Sequence, residues 1–136
     1  MKVKELEYMG DALLEVKGST INECFEGAAY AFLSLTYDVK KVNLKVNRSI
    51  ELDGMDLENL LYKWLEKLLI LLTAENLAVG KASVSINGLR LEADVWGERY
   101  SRKKHGFKIE VKGITYHLMS IEMLSEKCKM RFLADL

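Results

Sequence analysis

Alternation of apolar and polar residues on both sides of Asn87-Gly88 is the feature that most constrains the fold. The apolar positions are Ala82, Val84 and Ile86 before the dipeptide and Leu89, Leu91, Ala93 and Val95 after it. Asn-Gly is the typical two-residue connection of a β-hairpin, because both residues adopt positive φ. Such a loop places Ile86 opposite Leu89 and gathers the apolar side chains on one face. The sequence therefore predicts an antiparallel hairpin with one apolar face.

Two segments have helical periodicity instead. Apolar residues recur every three or four positions in the ranges 21–33 and 57–72, which predicts two amphipathic helices. Thr20 followed by Glu23 is typical of a capping box at the start of the first helix. Asp56 is the expected N-cap of the second. Each helix has one apolar stripe, which fits packing on one face of a sheet.

The remaining segments alternate with a period of two. They predict a strand over 11–17, a strand around 108–112 with Ile109 and Val111 inward, and a final hairpin of 114–124 and 128–136. The expected fold class is α+β, with two helices packed on one face of a mostly antiparallel sheet. Residues 1–136 fit one domain, and the opposite sheet face is more polar and open to solvent or a partner.

Composition limits the class of protein. Twenty Lys and Arg balance twenty Asp and Glu, which argues against strong non-specific binding to nucleic acid. No apolar run approaches the roughly 20 residues of a membrane helix, and residues 1–5 lack a signal-peptide core. We therefore expect a cytoplasmic protein. Cys24 and Cys128 fall at core positions and are interpreted as buried free thiols.

Asp11 and Asp135 are the first candidate site. Both alternate away from the apolar face of their strands. Two carboxylates with backbone oxygens suit a hard divalent cation, and the terminal carboxylate of Leu136 is a possible third donor. The alternative is a pair of solvated aspartates at strand ends, the usual state of isolated aspartates.

The second candidate is the segment from Lys112 to His117, which contains Thr115 and Tyr116. A lysine amine binds phosphate as a point charge, and an imidazole serves as an acid, base or ligand. The alternative is an ordinary strand end, with a solvated Lys112 and with Tyr116 and His117 half-buried at a turn.

The basic run 102–105, which ends at His105, is the third candidate. It is suited to a phosphate or an acidic protein surface, although such runs are more often solvated loops. Among motifs, the sequence has no glycine-rich phosphate loop, no nucleophile elbow and no spaced Cys/His metal set. It contains no complete catalytic constellation.

Four segments together resemble the archease family. They are Glu7-Tyr8-Met9-Gly10-Asp11, Leu60-Leu61-Tyr62-Lys63-Trp64-Leu65, the His105 to His117 region with Lys112-Gly113-Ile114-Thr115-Tyr116-His117, and Asp135-Leu136. Their order and spacing are kept over nearly the whole chain. The resemblance implies a strand-helix-strand-strand module with an inserted helix and strands.

What the resemblance implies about function is specific. Archeases are accessory proteins of the RtcB-type RNA ligase in tRNA splicing and RNA repair, where they promote guanylylation and multiple turnover of the ligase. The resemblance implies a divalent-metal site formed by Asp11, Asp135 and Leu136, with calcium expected and magnesium or manganese as alternatives. It implies a role for Lys112 in activation. RNA is expected to be reached only through the ligase.

The chain departs from the family pattern near this site. Tyr8 and Met9 replace the family's histidine and threonine, Lys108 replaces a frequent glycine, and Arg102 replaces a frequent proline. Two other functions remain open: an RNA-binding or chaperone module that uses residues 102–105, and a metal-dependent nucleotide or phosphoester hydrolase. The supporting residues expected around Lys112 are His105, Thr115, Tyr116 and His117.

Overall fold

Seven strands and three helices are found in the described part of the computed structural model. The backbone is described for residues 2–8 and 10–136, and the side chains for residues 2–5 and 10–136. Met9 and the side chains of Glu7 and Tyr8, part of the first family motif, lie outside this description. The strands are β1 (Lys2–Tyr8), β2 (Asp11–Gly18), β3 (Val46–Asp53), β4 (Leu77–Asn87), β5 (Arg90–Arg99), β6 (Gly113–Leu124) and β7 (Lys127–Asp135). The helices are α1 (Ile21–Leu33), α2 (Leu57–Thr73) and α3 (Arg102–His105), and Val39–Lys41 forms a 3-10 turn.

The strands form two antiparallel sheets. The first has the order β1-β2-β7-β6 and the second the order β3-β5-β4. Helix α1 packs against β2 and β4, and α2 packs against β6 and β4, so that each helix contacts both sheets. The α+β class is confirmed. The strands expected in one sheet are divided between two, because each apolar helix stripe is wide enough to be covered from two sides.

Both predicted helix starts are confirmed. Thr20 Oγ1 accepts a hydrogen bond from the Glu23 backbone N–H at 3.1 Å. Asp56 Oδ1 accepts one from the Asn59 N–H at 2.7 Å. Each side chain thus satisfies one of the donors that a helix leaves unpaired in its first turn.

The cap of α2 gives a measurable prediction. Replacement of Asp56 by alanine removes the acceptor of the Asn59 N–H and is expected to lower the free energy of unfolding by about 1 kcal/mol. Asp56→Asn keeps a capping oxygen and is expected to stay within a few tenths of a kcal/mol of the native protein. Urea unfolding followed by circular dichroism measures both. Equal losses in the two variants would show that the cap does not stabilise α2.

Trp64 lies at the centre of the core. Its side chain is fully buried, and its indole Nε1–H donates to the Phe25 carbonyl at 3.0 Å, which links α2 to α1. Phe25, Leu60, Leu61 and Leu68 are also fully buried. The buried indole stabilises the core through its large apolar surface, and its hydrogen bond fixes the orientation of α2 relative to α1.

The β4–β5 hairpin is present, but the predicted register is wrong. Ile86 pairs with Leu91 and Asn87 pairs with Arg90, so the loop consists of Gly88 and Leu89. Gly88 has a φ of 61°, whereas neither Asn87 nor Leu89 has a positive φ, the pattern of a type II′ turn with glycine first. The Leu89 carbonyl accepts from the Gly54 N–H at 2.9 Å, which holds this loop against the end of β3.

The outer edge of β4 is capped by side chains of α1. Asn22 Oδ1 accepts from the Ile86 N–H, and Glu26 Oε2 accepts from the Val84 N–H, each at 2.8 Å. These polar residues satisfy backbone donors that an edge strand otherwise offers to another chain. Helix α1 therefore closes this edge of the second sheet.

The strand predicted around 108–112 is wrong, whereas the final hairpin is confirmed. Residues 106–112 have no regular secondary structure; Val111 is buried, but Ile109 is exposed. The Lys108 N–H donates to the Thr36 carbonyl at 2.8 Å and the Lys112 N–H to the Asp135 carbonyl at 2.7 Å. Since these backbone groups bond to two separate parts of the chain, no continuous ladder forms.

The observed burial of side chains agrees with the sequence-based predictions except on the outer face of the first sheet. This face carries Leu13, Glu15, Arg131 and Leu133 and points away from α1. Cys24 and Cys128 are buried free thiols, and burial raises the pKa of Cys24 to about 12.

The outer face is less open than expected, because Leu133 and Glu15 are buried there. The Glu15 carboxylate accepts a hydrogen bond from Arg131 Nε at 2.8 Å. Within the described residues, no helix has the length and apolar character that a bilayer crossing requires.

Candidate functional site

The two candidate aspartates lie at the same end of neighbouring strands. Strands β2 and β7 are antiparallel, and Ala12 pairs with Ala134 at the end of their ladder. Asp11 and Asp135 are each one residue beyond that pair, so the same register sets them opposite each other. Leu13 pairs with Leu133 two residues away, and side chains two apart share a face. The register therefore brings the two carboxylates to one face of one sheet edge.

Lys112 and Leu136 meet at the same edge. Gly113 pairs with Asp135, which places Lys112 alongside Leu136 one step further. The Lys112 N–H donates to the Asp135 carbonyl at 2.7 Å, and the Lys112 side chain is exposed. The Leu136 side chain packs against the core, which anchors the residue that follows Asp135. Four of the sequence candidates thus share one edge.

The donor set of this edge suits a hard cation but is sparse. Asp135 is exposed and Asp11 partly so, and no described residue forms a hydrogen bond or ion pair with either carboxylate. Within the described residues there is no group of three His, Cys, Asp or Glu side chains that could hold a metal ion. The two carboxylates and the main-chain oxygens of this edge still provide oxygen ligands of the kind that calcium and magnesium prefer.

Residues 116–119 form an irregularity in β6 next to this edge. Thr115 pairs with Leu133 and Ser120 with Arg131, and the residues between them are out of register with β7. Leu118 has a φ of 61°, which is uncommon for a residue with a side chain. The His117 N–H donates to Thr115 Oγ1 at 3.1 Å. Bulges of this kind re-aim side chains next to functional sites.

Tyr116 is held on the surface by α2. Its ring stacks on Tyr62 with centroids 4.6 Å apart, and its hydroxyl accepts from Asn59 Nδ2 at 2.9 Å. The side chain is nevertheless 50% exposed. The alternative of a turn at Tyr116 and His117 is therefore wrong, since both residues lie on the bulged strand β6.

His105 belongs to a different, buried environment. The predicted loop 102–105 is the helical turn α3, and the His105 side chain is fully buried. Its Nδ1 accepts from the Ser101 N–H at 2.9 Å, so Nε2 carries the proton of the neutral ring and donates to Glu98 Oε2 at 2.9 Å. The bond at Nδ1 thus closes the α3 turn, and the bond at Nε2 holds α3 to β5.

Glu98, which sequence reasoning did not single out, is the centre of this network. Its carboxylate accepts from Lys104 Nζ at 2.6 Å, from the Asn43 N–H at 2.9 Å and from His105. The hydrogen bond from Lys104, followed by those from Asn43 and His105, lowers the pKa of Glu98 to about 2. Its partners lie at several sequence separations, and no local spacing reveals them.

This network predicts a specific pH dependence of stability. The usual carboxyl pKa is 4.5 and that of Glu98 is about 2, so its stabilising effect is complete above pH 4.5 and is lost as the pH falls toward 2. Glu98→Gln is expected to be less stable than the native protein at pH 7, with the gap narrowing between pH 4.5 and 2. Urea midpoints at several pH values measure the gap, with Glu126→Gln as an exposed control. A gap that is constant over this interval would contradict the assignment.

Comparison with known proteins shows the family of this chain. The model of the Archease protein family matches residues 4–136. The chain belongs to the archease family. It is 37% identical to the archease of Sulfurisphaera tokodaii over 99% of both chains, and 41% identical to that of Thermococcus gammatolerans over 96% of this chain and 95% of the relative.

Two solved structures share the archease fold described above. A solution structure of a Methanobacterium thermoautotrophicum protein superposes with a TM-score of 0.81 at 27% identity and covers 98% of both chains. A crystal structure of a Thermotoga maritima archease, described as a possible chaperone, has a TM-score of 0.67 at 21% identity over 100% of this chain and 98% of the other. The latter likeness concerns the fold alone.

Proposed function

We propose that this protein is an accessory protein that activates an RtcB-type RNA ligase and is not itself a catalyst. Membership of the archease family supports the proposal. The observation that carries it is the register that brings Asp11 and Asp135 to one sheet edge, beside Lys112. The role lies in tRNA splicing and RNA repair in the cytoplasm, where the protein promotes guanylylation and multiple turnover of the ligase.

The same edge would hold the divalent metal of this proposal. Asp11 and Asp135, with a main-chain oxygen of Leu136, would supply hard oxygen donors, for which calcium is the expected ion and magnesium or manganese are alternatives. When bound there, the cation would supply positive charge near a phosphate of the ligase's nucleotide. The two carboxylates have no competing ion pair with a described residue, which leaves them available as ligands.

Lys112 contributes a second positive charge. Its main chain is fixed by the 2.7 Å bond to Asp135, while its ammonium group is on an exposed side chain that can reach outward. Lysine offsets phosphate charge in phosphoryl transfer without the need for a rigid geometry. Thr115, Tyr116 and His117 follow on β6 and extend this edge as the surface that contacts the ligase.

The proposal is tested by RNA joining under multiple-turnover conditions with the cognate ligase. Untagged protein is required, because a tag added after Leu136 would lie directly beside the Asp11–Asp135 edge. We expect stimulation by the native protein, a loss of stimulation in Lys112→Ala, and full stimulation by Lys127→Ala, which removes an exposed lysine at the start of β7. Turnover of nucleotide or phosphoester by this protein alone, without the ligase, would instead support the hydrolase function.

A further inference from the structure

Basic residues are concentrated in two segments of a chain whose net charge is zero. Residues 34–45 and 98–112 together contain nine Lys and Arg but only three Asp and Glu. The rest of the chain therefore carries a compensating excess of acidic residues. This segregation is invisible in the overall charge balance, which argues against nucleic-acid binding only for a uniform distribution of charge.

The fold joins these two segments into one surface. The Asp38 N–H donates to the His105 carbonyl at 2.9 Å, and Lys108 Nζ donates to the Ser34 carbonyl at 3.1 Å. Helix α3 also contacts the Val39–Lys41 turn. We call the resulting surface the basic end, which consists of Lys40, Lys41, Lys45, Arg102, Lys103, Lys104 and Lys108.

The acidic residues of the basic end do not neutralise its exposed cations. Glu98 is buried beneath Lys104 and Lys45, and the Asp38 carboxylate accepts from the Lys40 backbone N–H at 3.2 Å. The third acidic residue, Glu110, is exposed and forms no ion pair with a described residue. Lys40, Lys41 and Lys103 are exposed and form no ion pair with a described residue. Their charges are therefore available to a polyanion.

An exposed aromatic ring accompanies these cations. The Arg102 guanidinium lies 4.7 Å from the centroid of the Phe107 ring, and Phe107 is 42% exposed. Surfaces that bind single-stranded nucleic acid combine cations along the phosphate backbone with aromatic rings on which bases stack. Arginine adds to such stacking through cation–π attraction.

We propose that the basic end binds the phosphate backbone of single-stranded RNA directly. Lysines dominate this surface, whereas protein–protein interfaces are depleted in lysine, so phosphate is favoured over an acidic protein partner. Lys112 follows Lys108 by four residues, at most about 14 Å along an extended chain. RNA on the basic end thus lies near the Asp11–Asp135 edge. This goes beyond the proposed function and beyond the expectation that RNA is reached only through the ligase.

The test is fluorescence anisotropy with a labelled oligouridylate and the untagged protein alone, at 50 to 200 mM salt. With about five phosphates contacted, we expect log affinity to fall with log salt with a slope of about −3.5. Lys41→Glu/Lys103→Glu is expected to weaken binding at least about tenfold. Lys4→Glu/Lys127→Glu changes the net charge equally but lies outside the basic end, and is expected to bind almost as the native protein does.

Three results would overturn the proposal. They are no RNA binding at 50 mM salt, equal weakening by the two double variants, and binding of a polyglutamate peptide without binding of RNA. The absence of RNA binding, or binding of polyglutamate alone, would show that the basic end does not recognise RNA. Equal weakening by the two double variants would show that RNA affinity depends only on the net charge of the protein. Because no ligase is present, each result is independent of the activation assay.

Discussion

Asp135→Asn is expected to abolish stimulation of the ligase while leaving the fold intact. The substitution keeps the shape of an exposed side chain but removes one of the two negative charges that attract a divalent cation to this edge. Substitution of residues that only hydrogen-bond to a metal ligand already lowers metal affinity by about 10- to 100-fold. For a direct ligand we therefore expect at least about a tenfold loss of both cation affinity and stimulation. Calorimetric titration with calcium and the guanylylation rate of the ligase measure the two effects.

Asp11→Asn is expected to have the same effect, because the register places its carboxylate opposite that of Asp135. Asp94→Asn is the matched control, since Asp94 is an exposed aspartate on β5 in the other sheet. Calcium affinity and stimulation should be unchanged in this control. If Asp11→Asn and Asp94→Asn behave alike, the paired-aspartate site is refuted, whatever the effect at Asp135.

Trp64→Ala is expected to have the largest effect on stability. Removal of a fully buried indole leaves a cavity and deletes the hydrogen bond to Phe25, at a cost of about 3–5 kcal/mol. Small domains have only about 5–15 kcal/mol of total stability, so the variant should be close to unfolding at 37 °C. Urea unfolding should show a midpoint lower by about 2 M.

Trp96 provides the control, because it is the only other tryptophan in the sequence. It is half-buried, with Lys81 Nζ 5.2 Å from its ring centroid. Trp96→Ala should lower the free energy of unfolding by about 1 kcal/mol, since the contacts that its half-buried ring makes are partly solvated. Similar midpoints for the two alanine variants would contradict the central position of Trp64 in the core.

Helices α1 and α2 could be predicted from the sequence because their signals are local. The apolar stripe of α2 and the oxygen of Asp56 three residues before the Asn59 N–H are contained in one short segment. Propensity, periodicity and capping therefore all indicate the same helix, and tertiary contacts do not alter it.

The hairpin register could not be obtained in the same way. A shift of two residues leaves every apolar side chain on its original face, so pairing Ile86 with Leu91 satisfies the pattern as well as pairing it with Leu89. The choice depends on distant residues. Arg90 lies opposite Asp53 and contacts it at 3.2 Å, and the Leu89 carbonyl bonds to Gly54.

The residues of the candidate site could be proposed from the sequence, but their arrangement in space could not. Alternation placed Asp11 and Asp135 away from the apolar face, but their adjacency depends on β2 pairing with β7 across more than a hundred residues. The network around Glu98 depends in the same way on contacts with Asn43 and Lys104. Long-range pairing of this kind has no local sequence signal.

The most direct test of the account is the rate of ligase guanylylation measured against increasing concentrations of the untagged protein. We predict a rate that rises to a plateau with the native protein and stays at the unstimulated level with Asp135→Asn. A rate that is unaffected by the native protein, or that rises equally with Asp135→Asn, would contradict it.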